Sequence, residues 1–594
     1  MPGILGIIAS SATEECPTLV NTMLATMKHE HFYRTATHFD PNMNLYSGFT
    51  GFEDSTDGIF SSEAGEISLV FSGECFIGSE ITNGDKLIQF YKDEGLKFIE
   101  VLNGLFCGLL IDKAQRKIVL FNDRYGIKRV YFHENNGNFY FASEAKALLR
   151  ILPELRQFDT ESLAEYLTFG STLDWKTLFR GIGILPGGSL WSFKDGRRRK
   201  EKYFSPEIWE AQPQLTAGEF ESRFQETFKQ ILPRYFEPVS KVGVALTGGL
   251  DTRMIMACRP ENAARMACYT FSGNNGLTLD DKIAAQVAAA SNVEHNLLRL
   301  ERDFFSGFSA QLDKTVFVTD GSAGLSNAHE LYLNRKARQL APIRLTGSFG
   351  SEILRSFSTF KRVPLSPNLF SNDWQSKTNS HAGKNREDKA RPITFAAFRD
   401  IPWNLFGNLE AGRSQLPFRS PFLDNKLVAL AFQAPEQIRK SSLPSFDLVR
   451  ANNPALSEIP TDRGFGGRNS GLRFLSRRAF AEITFRLDYY TIAGLPRPAS
   501  ALNSIYKFVV GKTKIAGMHK FVRYSSWLRN ELAPYIREVL SSARVRENGI
   551  WNRDFIDQLA TAHISGRHDY SAEIHTVMTL DAIERRLLRG FSEN

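Results

Sequence analysis

The stretch VALTGGLDTR (244–253) carries the densest set of residues able to do chemistry. An apolar run ends at Leu246, the turn Thr247-Gly248-Gly249 follows, and a helical pattern starts near Leu250. Paired glycines let the backbone turn sharply and aim N–H groups at an anion, and the helix N-terminus adds a favourable dipole. Thr247 and Thr252 offer hydroxyls to phosphate oxygens. Asp251 sits badly beside a bare phosphate but well for a divalent cation that bridges phosphates. The lysine of a GxxxxGK[ST] loop is absent, which excludes that kind of phosphate site. A Gly-Gly pair alone serves equally in an ordinary strand-to-helix turn, so the surroundings decide.

Those surroundings alternate. A helical pattern over 217–236 precedes strand KVGVAL (241–246) and the turn, then strand ACYTFSG (267–273) and helix DDKIAAQVAAASN (280–292). Strand EHNLLRL (294–300), helix AHELYLNRKARQL (328–340) and strand PIRLTG (342–347) complete the series. This alternation predicts a doubly wound α/β fold with a parallel sheet, in which ligands bind at the carboxyl ends of strands. Phe271 and Ser272 end the second strand, and Gly347 ends the last, so both are expected beside the turn.

Before residue 200 the pattern differs. Short β-type runs at 3–8, 67–73, 106–112, 117–123 and 139–143 are split by turns and two helical stretches, an α+β arrangement. A linker is expected at 206–216, a polar, mobile excursion at 362–392, and helices from about 420 onward. Two domains, 1–205 and 217–594, suit a chain of 594 residues. The start MPGILGII has neither a basic n-region nor a long apolar core and reads as a buried strand, Gly3–Ile8. No apolar run approaches the roughly 20 residues of a membrane span. Five cysteines (Cys16, Cys75, Cys107, Cys258, Cys268) without a CxxC pair point to a reducing, cytoplasmic setting. The net charge of +8 is modest, and its densest cluster, KDGRRRKEK (194–202), reads as a solvated hairpin rather than a nucleic-acid site.

The turn at 247–252 resembles the SGGxDS loop of the PP-loop ATPases, with threonine at both serine positions. Further segments resemble the asparagine synthetase family, class II glutamine amidotransferases. They are FNDRYGIKRVYF and FYFASEAKALL within 121–149, LFRGIGILPGGSLW (178–191), RSPFLD (419–424) and HISGRHDYSAEIHTVMTLD (563–581). The resemblance runs from residue 1 to about 590 in order. It implies an Ntn-type αββα glutaminase domain followed by a PP-loop synthetase domain using ATP and Mg²⁺. In the family, ammonia from glutamine passes through a tunnel to an acyl-adenylate.

The chain departs from that family at both sites. The resemblance implies a cysteine nucleophile at position 2, where this chain has Pro2, which has no nucleophilic side chain. The oxyanion motif NGE appears as Ser72-Gly73-Glu74, and LYSGFTGFE (45–53) lacks the arginine for the substrate carboxylate. Cys16 follows the strand that a nucleophile should precede, and Cys75 and Cys107 sit in β-type runs. A glutaminase-inactive N-terminal domain is therefore expected. At the second site SGEGSDE appears as Thr346–Glu352: Ser348 and Ser351 replace carboxylates, and Glu352 with Asp251 would hold the metal. Arg463, in IPTDRGFGG (459–467), is expected where the family has a lysine on the adenylate. Asp320, His329 and Glu330 are candidates for the acceptor pocket.

The leading expectation is an ATP-dependent, AMP-forming carbon–nitrogen ligase that does not use glutamine. It would be akin to β-lactam synthetases and lasso-peptide cyclases and join a small-molecule or peptide carboxylate to an amine in natural-product, peptide or polysaccharide modification. A homodimer or a pathway partner protein would suit such a role. The alternatives are asparagine synthesis from ammonia or glutamine, and a non-catalytic nucleotide-binding partner protein.

Overall fold

The computed structural model describes residues 2–11, 13–78, 80–237, 241–261, 263, 266–274, 276–382, 392–466, 472–493 and 518–590. Gly3–Ile8 lies inside a six-stranded sheet, antiparallel to Asn138–Ala142 on one side and Leu45–Phe52 on the other. Gly6 permits this close pairing, because a Cβ there would lie 2.6 Å from the Tyr46 carbonyl oxygen. A second sheet runs Arg197–Lys202, Ser189–Lys194, Lys117–Asn122, Asn103–Asp112, Ile67–Ile77, Gly58–Ser61, with Glu80–Ile81 paired to Ile67–Ile77. Alternating residues of the two sheets, among them Ile4, Phe49, Val70, Leu109 and Phe141, fill the layer between them. Helices Glu15–Met27 and Ala145–Ile151 cover one outer face, and Gly84–Glu94 covers the other. This is the expected αββα sandwich. The basic run is the expected hairpin too, turning at Asp195-Gly196, where φ is 48° and 70°.

Helix Ala217–Phe236 opens on a capping box, Thr216 with Glu219, and buries Phe220, Phe224, Phe228, Ile231 and Tyr235 at helical spacing. It leads into a five-stranded parallel sheet, ordered His295–Arg299, Met266–Ser272, Val242–Ala245, Ile343–Leu345, Phe418–Arg419. The chain starts in the middle, winds outward to His295–Arg299, then crosses back to Ile343–Leu345. The crevice between Val242–Ala245 and Ile343–Leu345 is thus the topological switch point, where this architecture binds ligands.

The two units share one apolar core. It runs from helices Glu15–Met27 and Ala145–Ile151 through Phe308–Val318 and Ala328–Leu340 to the C-terminal helices Tyr524–Arg529, Ala533–Ser541, Arg553–Ile564 and Ser571–Ile583. At its edge Lys146, with no exposed side-chain surface, pairs with Glu144 at 2.7 Å and with Asp320 at 3.1 Å. Within the expected linker, Glu207–Glu210 forms a helical turn whose Trp209 packs on Phe204, both buried. The expected mobile excursion is instead partly ordered. Asn372–Ala382 is a helix packed on Thr160–Phe169, with His381 Nε2 3.1 Å from Glu161, while residues 383–391 lie outside the described residues. Polar composition had hidden a surface helix. No helix among the described residues is long and apolar enough to cross a membrane.

Candidate functional site

The phosphate-type turn lies at the switch point, as its sequence position implies. Leu246 is buried and closes the strand by donating its N–H to Tyr269 at 2.8 Å. Gly249 is the extended cap of helix Leu250–Ala257, and its N–H donates to Thr247 Oγ1 at 3.3 Å. Thr247 Oγ1 in turn lies 3.4 Å from Thr252 Oγ1, so both hydroxyls face one spot. Gly248 is hemmed in: a Cβ would sit 2.8 Å from Asp280 Oδ1. Its N–H donates to that same oxygen at 3.0 Å, and its carbonyl accepts the Asp462 N–H at 3.1 Å.

The second loop packs directly on the first. A Cβ on Gly347 would lie 2.8 Å from the Thr252 backbone nitrogen, and one on Gly350 would lie 2.5 Å from Asp251 Cγ. Thr346 Oγ1 and Ser348 Oγ are 2.9 Å apart, and Ser420 Oγ donates to the Ser348 carbonyl at 2.7 Å. Phe349 turns the loop at φ 75°, a left-handed conformation uncommon for a bulky residue. The structure thus brings the loop of Gly347, Ser348, Ser351 and Glu352 against Asp251 and Thr252.

Of the two carboxylates assigned to a metal, Asp251 is already engaged. Arg355, one turn beyond Ser351, places Nη2 2.6 Å and 2.7 Å from the two Asp251 carboxylate oxygens and 2.8 Å from Ser351 Oγ. Burial pushes the Glu352 carboxyl up to about 7, and the charges of Asp251 and Asp400 push the same way. Among the described residues no group of three His, Cys, Asp or Glu side chains is placed to hold an ion. As arranged, Asp251 and Glu352 do not fit a magnesium ion, because a guanidinium holds the position its charge would take.

Other candidate residues make contacts within the protein. Ser272 is buried and donates Oγ to Asp281 at 2.9 Å, and Phe271 packs under Arg344, 4.8 Å from its ring centre. Arg463 is exposed in the turn closed by Thr461 and Phe465, and its guanidinium lies 4.5 Å over the Phe485 ring. Gly467 of that motif lies outside the described residues. Asp320 caps helix Ala145–Ile151, accepting the Ala145 and Lys146 N–H groups at 2.7 Å and 3.0 Å. His329 Nδ1 lies 3.2 Å from the Tyr524 hydroxyl, and Glu330 accepts from Asn334 at 2.9 Å. These three residues tie elements together and do not gather at the phosphate turn.

At the head of Gly3–Ile8, Pro2 is buried and its carbonyl accepts Lys128 Nζ at 2.9 Å. Lys128 also reaches Ser72 Oγ at 3.3 Å, and Ser72 donates to Asp57 Oδ2 at 3.3 Å. That same Asp57 oxygen accepts the Gly73 N–H at 3.1 Å, so the main-chain donor at the oxyanion position is internally satisfied. Glu74 forms a two-point pair with Arg419 of the second unit, at 2.8 Å and 2.6 Å. Cys75 and Cys107 are fully buried, and burial pushes Cys107 up to about 11. A cavity of about 130 Å³ is lined by residues of both units, among them Pro2, Gly73, Lys128, Arg419 and Ser420.

Asp57, Arg355, Asp280 and Lys520 were not foreseen. Arg355 was readable, since it follows Ser351 by four residues on a helical pattern, and such residues are neighbours. Asp57, Asp280 and Lys520 act across long sequence separations and left no local signal.

Residues 1–204 match the glutamine amidotransferase domain family, and residues 224–443 match asparagine synthase. The glutamine-hydrolyzing asparagine synthetase 1 of Bacillus subtilis (strain 168) is 20% identical over 538 residues, spanning 82% of this chain and 78% of that protein. A putative glutamine-hydrolyzing asparagine synthetase of Mycobacterium bovis is 24% identical over 323 residues, 50% of this chain and 48% of the relative. Amidase chry2 of Gibberella zeae is 25% identical over 454 residues, 69% of this chain and 62% of the relative. The chain therefore carries the class II glutamine-amidotransferase and PP-loop domain pair typical of asparagine-synthetase-like enzymes, and its domain composition is that of ATP-dependent ligases of this kind.

Proposed function

We propose that the chain is an ATP-dependent, AMP-forming carbon–nitrogen ligase that makes an amide without using glutamine. The observation that supports this best is the contrast between the two sites. In one, two glycine loops pack on each other at a switch point; in the other, Pro2 is buried and the Gly73 N–H is already bonded to Asp57. The matched relatives, asparagine synthetases and a protein called an amidase, have amide chemistry as their common element. The divisions 1–205, 206–216 and 217–594 remain our reading of the domains, with the first as scaffold.

In this reading Thr247, Gly248, Gly249, Thr252 and Gly347 take the phosphates of ATP. A substrate carboxylate oxygen attacks the α-phosphorus, the bond to the bridging oxygen breaks, and pyrophosphate leaves. An amine nitrogen then attacks the acyl carbon, AMP leaves with the bonding electron pair, and the amine loses a proton. Adenylation matters because a free carboxylate is a poor electrophile. No step is routed through magnesium, which the resting Asp251 and Glu352 do not fit. We assign the acyl group to a small-molecule or peptide carboxylate of natural-product, peptide or polysaccharide modification, in a cytoplasmic setting.

The test is product analysis of ATP incubated with the full chain, a panel of carboxylates and ammonium or amines, with no glutamine. AMP and pyrophosphate are expected, and Gly347→Ala, whose Cβ would press on the Thr252 nitrogen, should abolish them. Release of ADP and orthophosphate, or a requirement for glutamine, would overturn the reading.

A further inference from the structure

Lys520 belongs to none of the motifs, yet it is linked to the phosphate turn through Asp280. Its ammonium pairs with Asp280, whose other oxygen accepts the Gly248 N–H at 3.0 Å. A carboxylate therefore rests on the main-chain donor that an incoming phosphate would need. The segment carrying Lys520 is pinned rather than loose. Asp488 accepts the backbone N–H groups of His519 and Lys520 at 2.8 Å and 3.0 Å, and Leu279 donates its N–H to the Met518 carbonyl at 2.6 Å. About a third of the Lys520 side chain stays open, 37%, against 12% for Asp280. Asp462, whose N–H holds the Gly248 carbonyl, is the second acid near this lysine; against the cost of burial, Asp280 and Asp462 hold the ammonium above its ordinary value.

A purely structural ion pair explains the pinned segment but not why its acid sits on the Gly248 N–H. Helix Leu279–Ala290 already has its cap in Thr278 and Asp281, so Asp280 is not needed there. We propose that Asp280 and Lys520 form a resident ion pair that occupies the phosphate turn when it is empty. A pyrophosphate or nucleotide phosphate displaces the Asp280 carboxylate from Gly248 and takes Lys520 as its counter-cation. This rests on the reading that the turn binds the phosphates of ATP. It makes Lys520, rather than Arg463, the residue that offsets charge on the departing pyrophosphate. The exchange needs no covalent step. One anion replaces another on the same N–H, and the ammonium keeps its charge throughout.

Equilibrium binding of inorganic pyrophosphate and of ATP to the full chain tests it, by calorimetry on wild type, Asp280→Asn, Lys520→Met and Lys520→Arg, with thermal unfolding to verify folding. Asp280→Asn removes the competing charge and should tighten pyrophosphate binding about tenfold. Lys520→Met should weaken it at least about tenfold, and Lys520→Arg should restore most of the loss. A structural pair alone would make both Asp280→Asn and Lys520→Met weaken binding, or leave it unchanged, and either result overturns the proposal. Retained wild-type binding with an indifferent Lys520→Met refutes this assignment alone. Failure of the wild-type chain to bind either compound refutes the phosphate reading with it.

Discussion

Replacing Arg355 by methionine should turn the Asp251 site from one closed by a guanidinium into one open to a metal. Nη2 of Arg355 lies 2.6 Å and 2.7 Å from the two Asp251 oxygens, and the paired side chains are only 14% and 16% exposed. A hydrogen bond to a charged group contributes about 1.5–3 kcal/mol, and truncating one partner of a fully buried pair costs about 3–5 kcal/mol. Because this pair keeps some contact with solvent, a loss of about 2 kcal/mol is expected for Arg355→Met in metal-free buffer. The same energy no longer opposes a divalent ion at Asp251, which corresponds to about thirtyfold tighter metal binding. Titration of the full chain with Mn²⁺, following the free ion by electron paramagnetic resonance, measures the gain. Urea unfolding with and without Mn²⁺ measures the stability, which the ion should restore in the variant only. Equal Mn²⁺ affinity in the two proteins, with equal urea midpoints, would refute the idea that the guanidinium stands in a cation's position.

Three further outcomes follow from buried groups. Lys146→Met leaves Glu144 and Asp320 facing each other across the two units, and should lower stability by about 3–5 kcal/mol in urea; a loss under about 1 kcal/mol would contradict the network. Pro2→Cys should release no glutamate from glutamine, because the Gly73 N–H stays bonded to Asp57, and glutamate appearing in a coupled dehydrogenase assay would count against that. His575 is held down to about 4, first by burial and then by the charge of His563. The unfolded imidazole, near 6.5, binds a proton that the folded one refuses, so its contribution is whole above that pH and lost as the pH falls toward 4. His575→Phe should therefore remove about 2.5 kcal/mol of the stability lost between pH 7 and 4.5, and parallel stability–pH curves would contradict this.

The elements were legible where period and punctuation agreed. Gly3–Ile8, Ala217–Phe236 and Ala328–Leu340 fall where their apolar spacing placed them. Phe418–Arg419 was missed because two residues carry no period, and its strand character comes only from pairing with Ile343–Leu345. Asn372–Ala382 was hidden by its polarity, which suits a helix with one face in solvent. The site divides in the same way. The glycine turns announce themselves, since Gly347 and Gly350 are required by close approach of Thr252 and Asp251. What fills those turns does not, because Asp280 meets Gly248, and Asp57 meets Gly73, only after the chain has folded. Arg463 is the converse case: its place in a glycine-rich loop suggests a cation facing a ligand, while its contact with Phe485 appears only once the chain has folded.

The central claim, activation of a carboxylate as an acyl-adenylate without glutamine, is tested most directly by the fate of the carboxylate oxygens. A substrate carboxylate labelled with ¹⁸O is incubated with the full chain, ATP and an amine, and the AMP formed is weighed by mass spectrometry. The account predicts one labelled oxygen in AMP for each amide made, with pyrophosphate as the other product and no dependence on glutamine. Unlabelled AMP, or label appearing in orthophosphate alongside ADP, would contradict it.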